Sequence, residues 1–262
     1  MTTTAYDCDN MVVACDTRWS IDFLLNDGKH ILIVDDTGFN KIVYRKGGVL
    51  ICAGDGQTIA KMKEWWSAEY LDPEQMPYLE RNGFFNVSVL MISSNGERLF
   101  DAGPKQVIYN QETDHFHAIF SGTGGGYASF LFMRCGCIKS SVEGAIIFDP
   151  WSGGEVKFCN LRTTEHNLDD ENMDYNSIIE TMKSKGVLMK VTDKYIANAD
   201  GVEAIGWKDH PQANDIAYQL ASGSVKAYAP IGGKEIEWSE ERNNKIKQAA
   251  MKIAELEKTM NN

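Results

Sequence analysis

Thr2 follows Met1, and that pairing carries one specific chemistry. A methionine aminopeptidase removes Met1 when the next side chain is small, which would leave a free α-amine and a hydroxyl on one residue. An α-amine titrates near ~7.7–8.0, so an appreciable fraction is free base at neutral pH. It can take the hydroxyl proton directly or through one water, turning Thr2 into a nucleophile. Asp16 closes the apolar run Met11-Val12-Val13-Ala14-Cys15, which an Asp9-Asn10 turn folds back toward the chain start. Lys41 opens the strand-like Lys41-Ile42-Val43-Tyr44-Arg45. An ammonium near the nucleophile depresses amine and hydroxyl pKa values, and a carboxylate would hold and balance it. Taken singly, these are an ordinary threonine start and two solvent-exposed strand-end charges.

The elements that must position these residues are legible in outline. Residues 2–18 read as a hairpin, with further strands at 31–34, 41–45 and Val49–Ala53. Gly54-Asp55-Gly56 ends the last of these, and a helix from Gln57 to Tyr70 has Ile59, Met62, Trp65 and Trp66 at helical spacing. Val87–Ile92 is a strand, Ser94-Asn95-Gly96 a turn, and Arg98–Phe100 the return. Glycine-rich Gly122–Gly126 leads to helices at Tyr127–Met133 and Ser141–Phe148, then a strand at Glu155–Cys159. Locally paired strands with helices grouped between them predict an α+β sandwich rather than a βαβ relay. Residues 163–176 read as a polar linker, followed by a helix at Ile178–Lys185, a strand-like Leu188–Val191 and a charged helix at Ser239–Met260.

Six short blocks, in order, resemble the proteasome family of 20S β-subunits and the bacterial HslV peptidase. They are Thr2-Thr3-Thr4-Ala5, Met11–Arg18, Asn40-Lys41-Ile42, Ala53–Gln57, Gly122-Thr123-Gly124 and Asp149–Gly154. In the fifth, Thr123 stands where that family has Ser. The resemblance covers residues 1–160 and implies a four-layer αββα N-terminal nucleophile hydrolase. Carried over, it makes Thr2 nucleophile and base, Asp16 and Lys41 the supporting pair, and Gly54 N–H the oxyanion donor. Thr123, Asp149 and Ser152 would hold the Thr2 amine and a water. It also implies a peptide or protein substrate, a homo-oligomeric ring and no cofactor, with an ATP-dependent unfoldase as a further partner to test. Two features depart from the family: the opening hairpin is two residues shorter than in HslV, and residues 161–262 have no counterpart in the compact peptidases. A narrow-specificity amidase and a non-catalytic structural or binding protein are the rival readings.

Composition bounds the rest. With 262 residues, 43% hydrophobic, the chain can bury a core. A net charge of −11 argues against a general nucleic-acid surface. No basic, apolar leader opens the chain and no stretch reaches the ~20 apolar residues of a membrane helix, so the cytoplasm is expected by elimination. Cys8, Cys15, Cys52, Cys135, Cys137 and Cys159 include no C-x-x-C pair and read as small buried hydrophobes. His115 and His117 could point the same way from a strand, but no third zinc ligand is near in sequence. The Gly122–Gly126 run lacks the ending of a P-loop, and Trp65-Trp66 reads as core. Trp19, Cys52 and Gly56 are the expected lining of an uncharged specificity pocket.

Overall fold

The computed structural model describes residues 2–103, 105–110, 115–169, 173–191, 204–232 and 236–260. The chain opens with β1 (Thr4–Asp7) and β2 (Val12–Cys15), paired as the predicted hairpin. Asp7 holds the turn by accepting the Asn10 backbone N–H and side-chain amide. There follow β3 (Trp19–Leu25), β4 (Gly28–Val34), β5 (Ile42–Arg45), β6 (Gly48–Asp55) and α1 (Gly56–Trp66). Next come β7 (Glu80–Arg81), β8 (Phe84–Phe85), β9 (Val87–Ser93), β10 (Arg98–Ala102), β11 (Lys105–Asn110) and β12 (His115–Ser121). After α2 (Gly125–Cys135), α3 (Ile138–Phe148) and β13 (Lys157–Asn160), the rest comprises α4 (Asn176–Lys185), β14 (Val187–Lys190), β15 (Ala204–Gly206), α5 (Ala213–Ser222), β16 (Tyr228–Ala229) and α6 (Glu240–Met260).

The strands form a five-stranded sheet, β11-β12-β1-β2-β13, and a nine-stranded sheet, β10-β9-β6-β16-β3-β4-β14-β15 with β5 also on β6. β7 and β8 make a small separate pair. The described residues are therefore α+β, with antiparallel sheets and six α-helices. None of these helices is long and apolar enough to cross a membrane.

Alternation along the strands sends neighbouring side chains to opposite faces. Tyr6, Val13, Cys15 and Ile119 of the smaller sheet pack against Ile42, Val49, Ile51 and Ile92 of the larger. On the other face of the smaller sheet, Ala5, Ala14 and Phe120 meet Ala128, Val142 and Ala145 of α2 and α3. The largest cluster joins Leu50, Val89 and Met91 to residues of α1, α4, α5 and α6, among them Met62, Trp66, Met182, Ile216 and Ile253. Each large apolar side chain buried this way contributes roughly 1.5–3 kcal/mol.

Residues beyond 160 are built into this core. β14 lies along β4 from Val187↔Ile33 to Lys190↔His30, which places the predicted Leu188–Val191 strand in the larger sheet. β16 sits between β3 and β6. Helix boundaries follow local capping. Asp55 caps α1 by accepting Thr58 N–H at 2.8 Å, worth about 1 kcal/mol. α3 begins at Ile138, not Ser141: Cys137 is its N-cap, and its carbonyl already accepts the backbone N–H of Ser141 at 3.0 Å, so Ser141 lies within the first turn.

Candidate active site

The β1–β2 register decides the first cluster. Thr4 opposes Cys15, so Thr2 and Thr3 run past Asp16 at the open end of the hairpin. Thr3 N–H donates to Asp16 Oδ1 at 2.9 Å, and Asp16 N–H donates to Thr3 O at 3.1 Å. Lys41 arrives from the larger sheet, where its carbonyl accepts Cys52 N–H of β6 at 2.9 Å. Its ammonium donates to Thr2 Oγ1 at 2.6 Å and to Asp16 Oδ1 at 2.8 Å. The Thr2 hydroxyl donates to the same Oδ1. Asp16 Oδ2 accepts the backbone N–H of Arg18 and of Gly153, each at 3.1 Å.

Thr2 and Asp16 are wholly buried, and Lys41 is 1% exposed. Taking a carboxylate and an ammonium out of water costs several kcal/mol per ion, so their pairing has to be nearly complete. Here the carboxylate gathers donors from Thr2, Thr3, Arg18, Lys41 and Gly153. The hydroxyl oxygen of Thr2 touches both the ammonium and the carboxylate, which are also in direct contact with each other.

A second cluster adjoins the first. Asp149 Oδ2 accepts from Thr123 Oγ1 at 2.8 Å and from Ser152 Oγ at 2.7 Å. The Thr3 hydroxyl meets Ser152 Oγ at 2.8 Å and so ties the two clusters together. Gly122 and Gly124 flank Thr123 because the chain start presses on them. Gly122 has φ +85°, and a Cβ there would collide with the Thr2 carbonyl; one on Gly124 would collide with Thr3 Oγ1.

Thr2, Asp16, Lys41, Thr123, Asp149 and Ser152 thus share one network, and Gly54 stands apart from it in β6. Gly54 is paired with Val87 on one side and Ala229 on the other. Asp55 N–H points to β9, donating to Asn86 O at 3.0 Å, whereas Cys52 N–H and Gly56 N–H point the other way, to Lys41 O and Ala227 O. Amide directions alternate along a strand, so Gly54 N–H faces the side of Lys41 and β16.

The sequence does not single out the Arg18–Asp35 pair. Arg18 Nε and Nη2 each lie 2.8 Å from an Asp35 oxygen, and Nη1 donates to Pro150 O at 2.7 Å. Burial works against the guanidinium charge, but the Asp35 carboxylate outweighs it and holds the pKa above its ordinary value. This fork fixes the Pro150–Gly153 loop whose amide reaches Asp16. Its one trace in the sequence is that Arg18 closes the Met11–Arg18 block.

The expected specificity lining is corrected. Trp19 and Cys52 are fully buried members of the main core cluster, and Gly56 is buried against Tyr175 and Ala227 O. The cavity near Gly54 is instead bounded by Asn86, Tyr228, Pro230, Ile231 and Gly232, with a volume of about 460 Å³.

Among the described residues, two groups have metal-ligand composition: Asp9–His115–His117 and Asp27–His30–His210. Asp9, in the β1–β2 turn, supplies the third group that the sequence spacing around His115 and His117 lacked. Its oxygens lie 2.5 Å from His115 Nε2 and 2.6 Å from His117 Nδ1, and these bonds, that of His117 first, hold the carboxyl pKa below its ordinary value. Asp27 already pairs with the Lys190 ammonium at 2.9 Å. Of the six cysteines, Cys15, Cys52 and Cys159 are buried as expected, while Cys135 is exposed and Cys8 and Cys137 are half-buried.

No family model matches the chain, and neither a curated protein nor a solved structure matches it significantly.

Proposed function

We propose that this chain is an N-terminal threonine hydrolase of the proteasome/HslV type, cleaving peptide amide bonds through an ester on Thr2. The observation that carries the reading is the Lys41 ammonium, 2.6 Å from Thr2 Oγ1 and sharing Asp16 Oδ1 with it in a buried site. The four-layer αββα arrangement belongs to the same proposal. Its support is the succession of clusters from α2 and α3, through the two sheets, to α1, α4 and α6.

Cleavage of the Met1–Thr2 bond frees the α-amine. The amine takes the Thr2 hydroxyl proton while Oγ1 attacks the substrate carbonyl carbon. Lys41 lowers the energy of the developing alkoxide by its charge, and Asp16 keeps Lys41 in place. On this reading Gly54 N–H, on the side of β6 that faces Lys41 and β16, is the oxyanion donor, a contact of about 3–4 kcal/mol where comparable donors have been removed. Collapse breaks the C–N bond, and the proton on the Thr2 amine passes to the leaving amine. Water then attacks the ester carbon and gives a proton to the Thr2 amine; collapse breaks the C–Oγ1 bond, that proton returns to Oγ1, and the acid leaves with Thr2 restored. Thr123, Asp149 and Ser152 are joined in a hydroxyl–carboxylate network, and on this reading they would hold that amine and the water. The reading brings with it a cytoplasmic homo-oligomeric ring, a peptide or protein substrate, no cofactor, and an ATP-dependent unfoldase as a partner to test.

One observation favours a second reading, a narrow-specificity amidase on the same chemistry. Pro230–Gly232 lies beside Gly54 and brings Gly232 against Gly122 and Thr123, so the C-terminal part of the chain borders the site. Intact mass before and after an epoxyketone or β-lactone directed at N-terminal threonine tests the chemistry, with Thr2→Ala as control. A chain lacking Met1 that gains the adduct only with Thr2 present supports the hydrolase. A processed chain that takes no label even on prolonged exposure to excess reagent refutes it and leaves a structural or binding protein.

A further inference from the structure

β16 is two residues long and is held between two strands that belong to the site. Tyr228 opposes Ser20 of β3 and Asp55 of β6, and Ala229 opposes Gly54. β3 starts just after Asp16, and Gly54 N–H faces β16. The segment then runs toward the nucleophile. Gly232, at φ +70°, lies so near Gly122 and Thr123 that a Cβ on it would reach within 3.2 Å of Thr123 N. Gly122 itself abuts the Thr2 carbonyl. Thus Tyr228–Gly232 extends from the sheet slot to within one residue of Thr2.

The segment is held as an extended ligand would be. Ala227 O accepts Gly56 N–H at 3.0 Å, and Ala227 N–H donates to the Tyr175 hydroxyl at 2.6 Å. The Tyr228 hydroxyl reaches Asp22 Oδ1. Strand addition into a slot of this kind draws affinity from main-chain bonds and specificity from alternate side chains. Pairing stops at Pro230, which has no N–H to offer. Ala227 and Ala229 are buried in the main core, but β16 pairs over one position with β3 and two with β6, against seven for β3–β4, so it is the more weakly held strand.

We propose that Ala227–Gly232 is a substrate-like strand bound in cis, which an extended peptide must displace before Thr2 can act. The proposal rests on the hydrolase reading and adds its regulation: the site is self-inhibited, and its substrate competes as a strand. A trans peptide meets a tethered competitor whose effective concentration is of order millimolar, so weakening the tethered strand should raise apparent affinity.

The test turns the register into a lock. Antiparallel partners bring Cα atoms to ~4.5–5.5 Å, within disulfide reach, so Ser20→Cys with Tyr228→Cys can be compared oxidised and reduced. The protein used begins at Thr2. One readout is the rate of β-lactone adduct formation by intact mass; the other is fluorescence polarisation of a labelled Tyr-Ala-Pro-Ile-Gly peptide, repeated on Tyr228→Ala. The oxidised form should take neither, and the reduced form should label about tenfold faster or more, as a mostly occupied slot requires. Equal labelling in both forms overturns the proposal and leaves the hydrolase standing. Peptide binding restricted to the reduced form and Tyr228→Ala, without any adduct, keeps the cis strand and removes the hydrolase. Absence of peptide binding from every form overturns the cis strand.

Discussion

Asp16→Asn, Lys41→Met and their combination give the sharpest test of the buried centre. Asp16 and Lys41 have fully buried side chains 2.8 Å apart. Asp16→Asn leaves the Lys41 ammonium without its counter-charge and points an amide at a pocket built entirely of donors. Lys41→Met removes the cation and leaves a buried carboxylate held only by hydrogen bonds. Breaking a buried pair from one side costs about 3–5 kcal/mol, because the surviving charge is uncompensated. At about 2–4 °C per kcal/mol for a chain of this size, each single variant should melt roughly 6–20 °C lower. The double variant carries no stranded charge, so its cost should fall well below the sum, with a coupling of about 1–3 kcal/mol. Urea unfolding of the four proteins at neutral pH measures the cycle. Additive costs, or single variants within about 0.5 kcal/mol of the parent, would refute the idea that charge pairing organises the centre.

Four further outcomes follow from the same contacts. Gly122→Ala should lose Thr2 labelling and destabilise by more than about 3 kcal/mol, since it adds positive-φ strain to a collision with the Thr2 carbonyl; thermal melts and adduct yield check both effects. Ser152→Ala removes one hydroxyl from Asp149 and the link to Thr3, and should cost about 1–2 kcal/mol by denaturant titration. Burial pushes the thiols of Cys15 and Cys52 up to about 12, whereas the Ser140 backbone and hydroxyl hold Cys137 below its ordinary value. Native alkylation at pH 8 should therefore modify Cys137 and exposed Cys135 well before Cys15 or Cys52, as read by peptide mapping. Burial raises the Glu257 carboxyl pKa, but Arg45, at 2.7 Å, and Gly47 N–H outweigh it and leave the net value lowered. Its stabilisation is then complete above the unfolded value of ~4.3 and lost as pH falls through the lower folded value. Glu257→Gln should flatten that acid limb in urea midpoints.

What could be read from the residues, and what could not, divides along contact range. Thr2, Asp16 and the hairpin between them are set by one turn signal, Asp9-Asn10, and by the period of two, both local. The Gly122-Thr123-Gly124 and Asp149–Gly154 blocks are compact enough to stand out, although why glycine flanks Thr123 appears only when Thr2 and Thr3 are seen pressing on it. Longer-range features leave no such trace. Asp9 meets His115 and His117 across more than a hundred residues, so spacing alone left the histidines a pair. β16 is harder still: Tyr228-Ala229 shows no periodicity and is followed by Pro230, a sequence that reads as loop. It becomes a strand only because β3 and β6 offer unpaired edges on both sides, so tertiary context decides it. A polypeptide with no β pattern of its own that is nevertheless held as a strand behaves as a ligand does. The illegibility of β16 and its proposed role as a bound substrate mimic therefore have the same physical origin: its conformation is supplied by the slot.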